Sequence, residues 1–176
     1  MRKQILGIDP GNNGGMVLLG RERAGWGILR VFKLSRGEDA IARFVRDTAV
    51  NQPNAATTTA YLEQVHGWGE GRSFNFGMYY GFVRGVLKSH GMTELDGTLV
   101  NVTPQKWMPE MGVPPQKGEK ALHRLAMRRL AEDVQDEIMA TNWNAASLLI
   151  AFWGLKQEGG LYEPSTVPAR QDTGPE

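Results

Sequence analysis

Cysteine is absent from the 176 residues, so disulfides and thiolate metal sites play no part in this protein. Any metal must then be held by oxygen or imidazole ligands, which favours Mg²⁺ or Mn²⁺ over structural zinc. A strong charge of one sign is also missing. The 20 basic and 19 acidic residues leave a net charge of +1, too small to point to a polyanionic partner by itself. Only the distribution of charge can argue for one. No apolar run approaches the roughly 20 residues that span a bilayer. The short run Gln4-Ile5-Leu6-Gly7 has no long apolar region behind it, so neither a signal peptide nor a membrane span is expected, and the expected location is cytoplasmic. An apolar fraction of 41% over this length is enough for one substantial core and too little for two independent ones.

What is present reads as one α/β domain over residues 1–156. Ile5 to Ile8 predicts a buried strand, Asp9 to Gly15 a turn, Met16 to Leu19 a returning strand, and Gly27 to Leu34 a third. Ile41, Phe44, Val45 and Ala49 fall at helical spacing between Glu38 and Val50, and the β-branched run Thr58 to Val65 predicts the next strand. A helix from about Ser73 to Ser89, a strand at Thr98 to Val102, and helices from about Lys117 to Glu132 and Trp143 to Lys156 complete the pattern. Three meandering strands followed by alternating helices and strands describe a mixed five-stranded sheet covered on both faces. The tail from residue 157 to 176 holds three of the nine prolines and little periodicity, so disorder is expected there.

Two acids stand out. Asp9 ends an apolar strand and is followed by Pro10-Gly11-Asn12-Asn13-Gly14-Gly15, a turn whose glycines let backbone approach a ligand. It either holds a cation there or merely closes the turn. Glu63 sits in Ala60-Tyr61-Leu62-Glu63-Gln64-Val65, where the strand pattern expects burial and an unpartnered carboxylate is costly. If its strand lies beside the first, the two acids converge and one Mg²⁺ satisfies both. The other reading is an acid on the open side of an edge strand.

The blocks Gly7-Ile8-Asp9-Pro10-Gly11, Glu63-Gln64-Val65, Phe74-Asn75-Phe76-Gly77 with Gly81 and Gly85, Val102-Thr103-Pro104-Gln105-Lys106-Trp107, and Ala145-Ala146-Ser147-Leu148-Leu149-Ile150-Ala151 occur in this order over roughly residues 4 to 155. Together they resemble the phage-type RuvC-like Holliday junction resolvases. That resemblance implies a ribonuclease H-like fold, a homodimer, and two divalent ions, Mg²⁺ or Mn²⁺, driving symmetrical cuts in four-way DNA junctions. It also exposes a departure. The family's last block carries an acid where this chain has Ala146, and another Asp or His where it has Trp143 and Asn142. Asn142 and Asn144 can offer a carbonyl oxygen but no charge. Asp133, Asp136 and Glu137 either substitute for the missing acids or form a solvated helix end.

Lys117, Lys120, Arg124 and Arg128 recur three or four apart and form one basic stripe, with Leu122, Leu125 and Leu130 on another face. The stripe follows Lys106, in the block that leads to phosphate-contacting lysines in the family, so these residues are expected at DNA. The usual Trp-Lys of that block is Trp107-Met108 here. In the loop 66–72, Trp68 either stacks on an unpaired base or caps the core, and Arg72 is expected near phosphate. Gly77, Gly81 and Gly85 leave one stripe of their helix bare, which suits close packing or a dimer contact.

Two classes of function fit these residues. One is a junction-cleaving nuclease using Asp9 and Glu63, impaired by Ala146. The other is a branched-DNA-binding protein of the same fold that does not cleave. A sugar-kinase-like or actin-like ATPase also ends its first strand in Asp and a glycine turn, but it needs two such domains and a second phosphate loop.

Overall fold

The computed structural model describes residues 3–11, 13–22, 25–49, 57–64, 72–113, 144–160 and 170–171. The apolar run after Lys3 forms β1 (Lys3–Asp9), and the glycine turn returns it antiparallel into β2 (Gly15–Glu22), which pairs antiparallel with β3 (Gly25–Lys33). A 3-10 turn at Leu34–Arg36 and Gly37, at φ 96°, lead into α1 (Glu38–Ala49). Glu38 and Asp39 sit in its first turn, where acids suit the helix dipole. Then follow β4 (Thr57–Glu63), α2 (Arg72–Ser89), β5 (Leu99–Val102), α3 (Pro104–Glu110) and α4 (Ala145–Gln157).

The sheet order is β5-β4-β1-β2-β3, with β1, β4 and β5 mutually parallel. This is the expected five-stranded mixed sheet, and a two-residue strand, β6 (Arg170–Gln171), extends it beside β3. Of the tail, Gln157 ends α4, Gly160 closes a turn onto Leu155, and β6 joins the sheet. The expected helix at 117–132 and the loop at 66–71 lie outside the described residues.

Alternation along the strands sends side chains to two faces. Leu6, Ile8, Met16, Leu18, Ala60 and Leu62 pack with Ile41, Phe44 and Val45 of α1 and Val83 and Leu87 of α2. Ile5, Val17, Leu19 and Tyr61 pack with Trp107 of α3 and nearly all of α4. α4 is apolar all round, as a helix sandwiched in a core must be. Gly7 brings it close: a Cβ there would fall on the Ser147 carbonyl oxygen and the Ala151 backbone.

The glycine stripe of α2 packs against nothing described in this chain. Gly77, Gly81 and Gly85 are exposed, and a Cβ on any of them would meet no atom of the described residues. α2 turns Val83 and Leu87 to the sheet instead, so its bare stripe contacts no described element of this chain.

Candidate metal centre

Parallel pairing in step places the two acids side by side. Ile8 stands opposite Leu62, so Asp9 and Glu63 follow as the next pair, each at the C-terminal end of its strand. By strand alternation Asp9 shares the side of Gly7, and Glu63 that of Tyr61, which is the α4 face. In open α/β sheets the carboxyl ends of parallel strands are where ligands bind.

α4 runs antiparallel to β1. Glu158, just past its end, is ion-paired with Lys3 at the start of the strand, and Ser147 and Ala151 lie over Gly7. The first turn of α4 therefore points to the Asp9 end. Its dipole adds positive potential near the two acids, a modest effect beside a full charge.

Each acid is oriented by a neutral N–H. The Gly11 amide donates to Asp9 Oδ1 at 2.9 Å, inside a turn closed by Gly14 N–H to Gly11 O at 2.8 Å. A Cβ at Gly14 would strike the Asp9 carbonyl, so the turn needs glycine there. The Trp107 Nε1–H donates to Glu63 Oε1 at 2.9 Å. Asp9 thus both closes a turn and faces a second carboxylate, so the two readings of it are compatible.

Glu63 is 7% exposed. Burial, and then the negative charge of Asp9, push its carboxyl well above the usual carboxylate range, and the Trp107 hydrogen bond opposes them. A divalent cation between the acids would offset both costs. The donor set suits one hard cation with oxygen ligands. Among the described residues no group of three or more His, Cys, Asp or Glu comes together, so none of them adds a third anionic ligand to the pair.

Ala146 is the partly exposed residue in a stretch of α4 that is otherwise buried from Ala145 to Leu155. Position 146 is therefore partly open at the end of α4 that lies by Asp9. Asn144 stands at the N-cap position and is fully buried, its backbone carbonyl accepting from Ser147 Oγ at 3.0 Å. Lys106 is exposed, with Nζ 5.5 Å from the Trp153 ring centre, whereas Trp107 points inward. Neighbouring residues on α3 thus point different ways, as the step of about 100° between helix neighbours requires. Arg72 begins α2. Trp68, Lys117, Lys120, Arg124, Arg128, Asp133, Asp136, Glu137, Asn142 and Trp143 lie outside the described residues.

Trp107 is the site residue whose role the residue pattern did not reveal. Pro104 at the first position of a helix was the available signal. A Trp three residues on, in a helix starting directly after β5, turns back over the strand ends.

A mixed sheet of this order, with a carboxylate ending β1 and helices on both faces, is a ribonuclease H-like fold. Within that class it is the fold of RuvC. The Thermus thermophilus RuvC structure superimposes with a TM-score of 0.54 at 16% identity, covering 89% of this chain and 97% of that one. T. thermophilus RuvC in complex with a Holliday junction substrate matches at a TM-score of 0.50 and 14% identity, over 84% and 90%. No protein-family model and no curated protein matches the sequence. Among the described residues, no helix is long and apolar enough to cross a membrane.

Proposed function

We propose that this chain is a structure-selective nuclease of branched DNA, acting on four-way junctions as a homodimer with Mg²⁺ or Mn²⁺. The observation that carries the reading is the carboxylate pair of Asp9 and Glu63, set side by side at the C-terminal ends of parallel strands in a RuvC fold. A divalent ion bound there would supply Lewis-acid activation of a phosphodiester and of its attacking water. Asp9 and Glu63 hold the cation, Gly11 and Trp107 orient them, and Lys106 with the basic stripe Lys117, Lys120, Arg124 and Arg128 binds phosphate. Trp68 and Arg72 belong to the same DNA surface, and the bare stripe of α2 is a surface on which a second copy can pack closely. The test is cleavage of a labelled four-way junction with Mg²⁺ or Mn²⁺, beside a linear duplex and an Asp9→Asn control. Junction-selective, Asp9-dependent cutting is expected, and equal binding of junction and duplex would overturn the reading.

One observation favours a second reading. With alanine at 146 and no third acid gathered among the described residues, slow or absent cutting alongside tight junction binding would identify a binding protein that keeps the fold without the chemistry.

A further inference from the structure

We propose that Trp107 is a positioning residue of this site, holding the Glu63 carboxylate towards Asp9 so that the pair is formed before a cation arrives. This rests on the cation-binding reading above. Two neighbouring carboxylates repel, and a glutamate side chain has enough freedom to swing away from its neighbour. Something must hold it. The indole Nε1–H, 2.9 Å from Oε1, is the donor that does so. It comes from a rigid place: Trp107 is fully buried in the core that includes α4. Its helix starts on Pro104 and is tied by Trp107 N–H to Thr103 O at 3.3 Å and Met111 N–H to Trp107 O at 3.1 Å.

The chemistry of the donor matters as much as its place. An indole N–H donates and cannot accept, so it does not ligate a metal, and it carries no charge to compete with one. A lysine or arginine there would orient Glu63 and also neutralise it. The protein uses that other device away from the site, where Glu158 accepts from Tyr61 Oη at 3.0 Å and is ion-paired with Lys3. Glu63 is instead oriented by a neutral donor, which does not compete with a cation for its charge.

The experiment measures Mg²⁺ binding by calorimetry in the full chain, in Trp107→Phe, which keeps a ring and loses the N–H, and in Trp153→Phe. Trp153 is equally buried, at 1% exposure, and serves as the control for lost core packing. A positioning role predicts Mg²⁺ affinity lowered roughly tenfold in Trp107→Phe and little changed in Trp153→Phe. Equal effects in the two variants, or none in Trp107→Phe, overturn the proposal while leaving the cation site intact. Absence of Mg²⁺ binding in the unaltered chain overturns the cation reading and this proposal with it. Indole ¹⁵N–¹H spectra give a reading that does not require Trp107→Phe to fold. One indole resonance should move when Mg²⁺ is added to the unaltered protein, and the same resonance should be displaced in metal-free Glu63→Gln. If no indole resonance responds to both, Trp107 does not hold Glu63.

Discussion

Glu63 and Glu94 are the same amino acid under opposite regimes. Glu63 is buried, beside another acid, and oriented by a neutral indole. Glu94 lies on the surface between the end of α2 and β5, where Arg84 Nη2 reaches Oε1 at 2.7 Å and Lys88 Nζ reaches Oε2 at 2.9 Å. Those two cations hold the Glu94 carboxyl down at about 2, while burial and Asp9 push Glu63 the other way. The exposed cluster is self-sufficient. Glu63 carries a burial cost and a neighbouring negative charge that a bound cation would offset, and such a perturbed group is what separates a candidate site from an ion pair that only ties a loop.

The largest break in this comparison should come from removing charge at the pair. Asp9→Asn or Glu63→Gln should weaken Mn²⁺ binding by about 100-fold, since each removes one of two charged ligands, whereas Glu94→Gln should leave it unchanged; calorimetry on the three variants checks this. Equal losses in all three would mean that the cation binds elsewhere.

Adding charge is the next test. Ala146→Asp should raise junction cleavage with Mg²⁺ by about tenfold or more, because an acid at the open position of α4 can stabilise a second ion. The first turn of a helix also tolerates a negative charge. A labelled-junction assay on both chains decides it. Unchanged rates would place the completing ligand elsewhere, with Asn142, Asn144, Asp133, Asp136 and Glu137 the residues to substitute next.

The two acids should also have opposite signatures in pH. Glu63 has a raised folded-state pKa, so its contribution favours folding below the ordinary value of 4.5 and is lost as pH rises through the raised value. Metal-free protein should therefore lose melting temperature over that rise, and Glu63→Gln should flatten the curve, with about 2–4 °C regained per kcal/mol relieved. Mg²⁺ should restore the loss at the alkaline end. Glu94, with its pKa lowered, contributes above its ordinary value and loses that contribution as pH falls towards about 2.

The smallest effect belongs to Glu94 itself. Because Glu94 and its partners are exposed to solvent, Glu94→Gln should shift the melting temperature only slightly near neutral pH, and added salt should erase the difference. A large, salt-resistant shift would show that the cluster is more than a surface tie.

The strands were legible as short apolar or β-branched runs buried on both faces of the sheet, and α1 because Ile41, Phe44 and Val45 recur at helical spacing on one buried face. The acids were legible too, since a carboxylate ending an apolar strand is costly unless it has a task. What no linear pattern carries is register. Side-by-side placement of Asp9 and Glu63 depends on β1 and β4 pairing in step, with Ile8 beside Leu62. The direction of α4 over Gly7 decides that position 146 lies at the acids' end. The outward turn of the glycine stripe on α2, and the indole of Trp107 reaching Glu63 across 44 residues of chain, were likewise decided only by tertiary packing. Composition and periodicity determine which side chains must be buried, because burial is a property of each residue and its near neighbours. Which buried groups meet is determined by long-range packing, because a hydrogen bond or a shared cation needs two groups placed to within a fraction of an ångström, and local patterns do not encode that.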